Sequence, residues 1–208
     1  MVTKIKYGNT NTFLIKGTKA NILIDTDYAG TLYAFYKAIK DNGIKISDID
    51  YLLATHYHPD HIGIAGDLME QGVKLIIMES QLPYVHYSDP IFAKEPYLNY
   101  KSINESKGEI LSFADASSFL FSIGIKGDIM PAPSHSEDSI IITLDDGTVI
   151  AGESPAGSHI QEQTGDNSHE LAEINSALQK VQLSTRCFCA VTSRYLMQLS
   201  HDSTSIYV

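Results

Sequence analysis

Apolar and polar positions in the first half of the chain switch between two periods. Residues 4–7, 11–16 and 21–25 are short β-rich runs, parted by Gly8-Asn9 and by Gly17. They read as three short strands. The third run, NILID, is apolar and ends on a carboxylate, Asp25. The period then lengthens: Leu32, Phe35, Tyr36 and Ile39 stand at i, i+3, i+4 and i+7, and Asn42-Gly43 follows. That spacing predicts a helix with a stop behind it. Residues 51–55 (YLLAT) predict a short buried strand, 62–71 a helix ended by Gly72, and 73–78 another buried strand. Strands alternating with helices predict helices packed on a sheet, an α/β arrangement.

Residues 83–109 break the pattern with Pro83, Pro90, Pro96 and four tyrosines. A long loop with one short helix is expected, either as a wall of a cleft or as a surface insertion. The second half starts near Ile110. Strands are expected at 128–131, 139–144 and 148–151, the last two joined by Asp145-Asp146-Gly147, a hairpin signal. Ser168 can cap a helix with Leu171, Ile174, Leu178 and Val181 on one face, and 186–191 predicts a final strand.

At 208 residues and 43% apolar, one domain spanning 1–208 is expected. A formal net charge of -10 argues against nucleic acid as an obligate partner. Cys187 and Cys189 lie two apart on the expected last strand, where extended backbone holds their Cα atoms roughly 7 Å apart, too far to bridge, so they are not expected to pair with each other. Unbridged thiols suit a reducing cytoplasm. The N-terminal stretch has no continuous apolar segment, and no run approaches a membrane span. The expectation is a cytoplasmic protein acting on a small molecule without membrane or nucleic-acid partners, a homodimer being left open.

Residues 55–61 read THYHPDH, three imidazoles and a carboxylate in six residues, between an apolar strand and a helix. Imidazole nitrogen and carboxylate oxygen suit zinc. In an extended loop His56 and His58 face the same way and can reach one ion. Asp60 and His61, past Pro59, can turn toward a second ion roughly 3.5–4 Å away.

The motif Thr55-His56-x-His58-x-Asp60-His61-x-Gly63 resembles that of the metallo-β-lactamase superfamily. Asp25 at a strand end and Pro133-Ser134-His135-Ser136-Glu137-Asp138-Ser139 add to the likeness, with Ser134 where glycine is usual. It covers about 3–152, with 154–208 divergent. The resemblance implies a four-layer αβ/βα sandwich of two facing mixed sheets flanked by helices. It implies that His56, His58 and His135 hold a first metal, and Asp60 and His61 part of a second. Asp25 would support the histidine loop, and Asp60 would orient a metal-bound hydroxide. Zinc is expected as one or two ions, iron or manganese being alternatives.

Two departures bear on the second ion. The family's bridging aspartate position carries Glu153, expected as a longer-stemmed ligand, and its final histidine is missing after residue 191. His201, His159 and His169 are candidate substitutes, and His86 a candidate substrate contact. Flavin-linked diiron members carry a carboxylate where His58 stands, which sets a redox role aside. A metal-dependent hydrolase of a small ester, thioester or lactone is therefore expected. The alternative is a mononuclear or inactive relative serving as a binding or regulatory module. No Gly-x-Ser-x-Gly elbow supports a serine nucleophile.

Overall fold

The computed structural model describes residues 1–133, 135–152 and 187–190, the last as backbone. Six strands form one sheet in chain order: β1 (Val2–Lys6), β2 (Asn11–Lys16), β3 (Asn21–Ile24), β4 (Tyr51–Leu53), β5 (Lys74–Met78) and β6 (Glu109–Leu111). The first two pairings are antiparallel and the remaining three parallel. The sheet is covered on both faces, so its inner strands carry unbroken apolar runs, Phe13–Ile15, Ile22–Ile24, Leu52–Leu53 and Leu75–Met78, rather than alternating ones. Successive side chains still go to opposite sides. Leu14, Leu23, Leu52, Leu75 and Ile77 join one apolar cluster; Phe13, Ile15, Ile22, Ile24, Leu53, Ile76 and Met78 join another. Each such side chain taken fully out of water contributes about 1.5–3 kcal/mol.

Helix α1 (Leu32–Asp41) buries Phe35 and Ile39 in the first cluster. Gly43, at φ +67, closes it, and Ile44 N–H returns to the Ile39 carbonyl at 2.8 Å. The single helix expected over 62–71 is two short ones, α2 (Pro59–Ile62) and α3 (Ala65–Glu70). Gly63 lies against the backbone of Asp27, Tyr28 and Ala29, where any Cβ would collide, and its N–H donates to the Asp27 carbonyl at 2.9 Å. That close approach bends the chain between the two pieces. Residues 79–108 hold a 3-10 turn at Glu79–Tyr84, a short helix α4 (Asp89–Phe92) and two further 3-10 turns. Helix α5 (Ala116–Ser122), not foreseen, adds Ala116 and Leu120 to the second cluster.

The second sheet runs β10 (Cys187–Ala190), β9 (Thr148–Ala151), β8 (Ile140–Leu144), β7 (Gly127–Pro131). β7, β8 and β9 are antiparallel neighbours, and β10 joins β9 in parallel. Ile129, Ile140, Ile142 and Ile150 belong to the same cluster as the inward residues of the first sheet, so the two sheets face each other across it. The helix expected after Ser168 lies outside the described residues. Among the described residues no helix is long and apolar enough to cross a membrane.

Candidate metal centre

The centre forms where β3 and β4 end. Asp25 follows β3 with φ 58, a left-handed backbone that a non-glycine residue adopts at a cost of about 1–3 kcal/mol. Its N–H is satisfied by the Leu53 carbonyl at 3.0 Å. The conformation turns a fully buried carboxylate under the next strand. Oδ1 accepts from Thr55 N–H at 2.6 Å, and Oδ2 accepts from Thr55 Oγ1 at 2.7 Å and from His61 Nδ1 at 2.9 Å. The bond to Asp25 puts the His61 proton on Nδ1 and makes Nε2 the ring's acceptor nitrogen.

His58 is extended, at φ -71 and ψ 155, and the side chains of residues 56–58 alternate. Tyr57 points into the helix-side cluster and is fully buried, while His56 and His58 share the other side with ring centroids 4.5 Å apart. Pro59 then opens α2 with His58 at its N-cap, and this first turn brings His61 back until its ring centroid is 4.0 Å from His56. Asp60 is 43% exposed, with Oδ2 3.7 Å from His61 Nε2.

His135 arrives from the other sheet, on the turn before β8. Its ring centroid lies 4.8 Å from His56 and 5.0 Å from His58, and its Nε2 is 3.2 Å from His58 Nδ1. Nitrogens bound to one tetrahedral zinc stand about 3.3 Å apart, from the usual zinc–nitrogen length. The His135–His58 pair already has that edge. One nitrogen each from His56, His58 and His135 lies within 4.8 Å of the others, a slightly open version of a three-imidazole shell.

His56 supplies the sharpest sign of fit. It is fully buried, Nδ1 lies 3.3 Å from Thr55 Oγ1, and Nε2 has no hydrogen-bond partner among the described residues. Burial, reinforced by the adjacent His61, His58 and His135, holds its pKa well below the ordinary histidine value. A neutral imidazole with an unsatisfied buried nitrogen facing two others is what a divalent ion requires. Gly152 lies against this ring; a Cβ there would stand 2.5 Å from Thr55 Oγ1 and 2.7 Å from His56 Nδ1.

The metallo-beta-lactamase superfamily model matches residues 5–152 of the 208. The chain belongs to this superfamily. It is 32% identical over 157 residues to a probable metallo-hydrolase of Methanocaldococcus jannaschii, covering 74% of this chain and 71% of that protein. A flavo-diiron protein of Clostridium acetobutylicum is 32% identical over 123 residues, 56% of this chain and 30% of the relative. An atrochrysone carboxyl ACP thioesterase of Pseudocercospora fijiensis is 26% identical over 145 residues, 69% of this chain and 36% of the relative. The chain thus spans only about a third of the last two. A metallo-β-lactamase family protein of Thermus thermophilus shares the fold at TM-score 0.64 and 18% identity, over 91% of this chain and 72% of that one.

Within this superfamily member, the structure brings His56, His58, His61, Asp60 and His135 to one place. Ser134, Glu153, His159, His169 and His201 lie outside the described residues. Both ring nitrogens of His86 are engaged by carboxylates. Its Nδ1 bonds Asp89 at 2.9 Å and its Nε2 bonds Glu105 at 2.6 Å, within the 79–108 segment. Burial opposes its charging, but the bonds to Asp89 and Glu105 outweigh this and raise its pKa. The segment does border the centre: Tyr87 lies 5.5 Å, ring to ring, from His58, and Ser88 Oγ donates to the Tyr57 carbonyl at 2.7 Å.

Two further residues meet the histidine turn from within. Gln81, fully buried, donates from Nε2 to the Ala54 carbonyl at 2.9 Å and the Asp138 carbonyl at 3.2 Å, and accepts Met78 N–H at 3.1 Å. Asp138, 2% exposed, accepts Tyr57 N–H at 2.7 Å. In sequence a lone glutamine after a strand carries no such signal. Asp138 lies in the segment Pro133–Ser139, where the resemblance implies a role only for His135.

Proposed function

We propose that this superfamily member is a metal-dependent hydrolase acting on a small ester, thioester or lactone. His56, His58 and His135 hold one ion, zinc being the best match to three imidazoles. Asp60 and His61 serve the adjoining position, with Glu153 as the further carboxylate because it follows Gly152, which touches His56. The observation that carries this reading is the buried His56, whose Nε2 has no hydrogen-bond partner among the described residues, at ligand spacing from His58 and His135.

When bound, the ion supplies Lewis acidity at the scissile carbonyl and an acidified water at neutral pH. The protein's groups do the rest. Burial keeps His56 neutral and therefore able to ligate. Asp25 fixes the His61 ring and its tautomer. Asp60, partly exposed at the cleft, orients the attacking water and takes its proton. Tyr87 gives one wall a planar apolar surface beside His58. A net charge of -10 disfavours polyanionic substrates, and the thioesterase relative supports the acyl class.

A second reading keeps the hydrolase but uses one ion. It is favoured because, among the described residues, the three-histidine group is the one that closes to ligand spacing. Zinc titration together with a panel of p-nitrophenyl esters, acyl thioesters and lactones tests both. Zinc-dependent turnover of any of these, lost in Asp60→Asn, is expected. Zinc binding with no turnover across the panel would reject the hydrolase and leave a binding module.

A further inference from the structure

His135 poses a problem of order. It is exposed and sits on a turn between strands. An imidazole on such a turn loses conformational freedom when it is held in place, which weakens any shell it completes. Local bonds shape the turn itself: Ala132 N–H to Ser139 O at 2.8 Å, Ser139 N–H to Ser136 O at 2.9 Å, and Ser136 Oγ to Ser139 Oγ at 2.7 Å. None of these fixes its distance from His56 and His58.

Several bonds tie this turn to the strands and turn that carry His56 and His58. Ile140 N–H donates to the Thr55 carbonyl at 2.9 Å. Asp138 Oδ2 accepts Tyr57 N–H, between His56 and His58 in the chain. Gln81 Nε2 reaches both the Ala54 carbonyl, just ahead of the histidine turn, and the Asp138 carbonyl, three residues beyond His135. Its Oε1 is committed to Met78 N–H at the end of β5. One buried amide thus spends its bonding capacity on three separate segments that meet at the centre. Tyr84, in the same 3-10 turn, donates to Glu137 on the outside.

We infer that Gln81 and Asp138 are positioning residues for the metal centre. They act as an internal clip that holds the His135 turn at ligating distance from His56 and His58 before any ion arrives. The inference rests on the reading of these three histidines as ligands. It adds that the affinity of the centre depends on two residues that touch neither ion nor substrate.

The test is zinc affinity by competition with a chromophoric chelator. The proteins are wild type, Gln81→Met, Asp138→Ala, Asp138→Asn, His135→Ala and the double variant Gln81→Met/His135→Ala. Gln81→Met and Asp138→Ala should each weaken zinc about 10–100-fold, the usual effect of losing a group that orients a ligand. Asp138→Asn keeps an acceptor for Tyr57 N–H and should recover most of the affinity. On the His135→Ala background Gln81→Met should add little, because the ligand it positions is gone.

Wild-type affinity in both Gln81→Met and Asp138→Ala would overturn the clip. So would an undiminished loss on the His135→Ala background, which marks general softening. If His135→Ala binds zinc as tightly as the wild type, the ligand reading itself falls, and the inference with it. Amide exchange of Tyr57 N–H in the metal-free wild type needs no variant. Slow exchange is expected of a preformed clip; exchange as fast as in an open loop would overturn it.

Discussion

The turns that carry His61 and His135 deliver imidazoles to one point by opposite means. The first is buried and carries its own order. Asp25, itself in a left-handed conformation, accepts three hydrogen bonds from Thr55 and His61 and is fully inaccessible. The second is exposed and borrows its order from Gln81, Asp138 and the end of β4. The lesson is that stability and metal affinity separate in this molecule. Damage to the buried turn should unfold it, while damage to the exposed turn should cost the ion and leave the fold.

The largest effect is expected for Asp25→Ala, which leaves Thr55 N–H, Thr55 Oγ1 and His61 Nδ1 buried without their acceptor. Losing one side of such a buried network costs about 3–5 kcal/mol. Denaturant unfolding of the metal-free protein reads it; a loss below about 1 kcal/mol would mean that water replaces the carboxylate.

Gly152→Ala comes next. The new Cβ meets Thr55 Oγ1 and the His56 ring, so destabilisation of about 1–3 kcal/mol is expected, together with weaker zinc binding. Unchanged melting and affinity would show that the loop moves aside.

For the two exposed side chains, His135 on its turn and Asp60 on the rim of the buried one, His135→Ala and Asp60→Asn should alter metal-free stability by no more than about 0.5 kcal/mol. His135→Ala should nevertheless bind zinc markedly more weakly. Asp60→Asn should keep much of it while turnover falls roughly 10²-fold or more, the range for a general base. Thermal melts with and without zinc, paired with initial rates, separate these effects. A large melting shift in metal-free His135→Ala would erase the contrast between the turns.

The smallest effect concerns His86. Its pKa is raised in the fold, so the stability it lends is fully present below its unfolded value of about 6.5 and is lost as pH rises through the native value. Nearly half-exposed, it should contribute under about 1 kcal/mol. The pH dependence of unfolding should flatten above pH 6 in His86→Ala; an unchanged profile would remove the role.

Sequence made much of this legible because the physics was local. The strand runs, the stop at Gly43 and the hairpin at Gly147 follow from period and turn chemistry at adjacent residues. His56 and His58 share a side because they stand two apart and Tyr57 between them points into the core. What sequence hid was non-local. Gly63 splits a helix because the backbone of residues 27–29 presses on it. Helix α5 was hidden because its sequence, ASSFLFS, mixes serines and aromatics of weak helix preference. Gln81 and Asp138 acquire meaning only when three distant segments meet, and the clean turn of His86 toward Asp89 and Glu105 is likewise a contact across the segment.

The central claim is that His56, His58 and His135 hold a metal ion, and metal content per chain tests it most directly. The protein is purified without chelator, dialysed and assayed by elemental mass spectrometry beside His58→Ala. At least one ion per wild-type chain is expected, with none retained by the variant. A wild type that stays empty after reconstitution with zinc, iron and manganese, or a variant that keeps the full complement, would contradict the account.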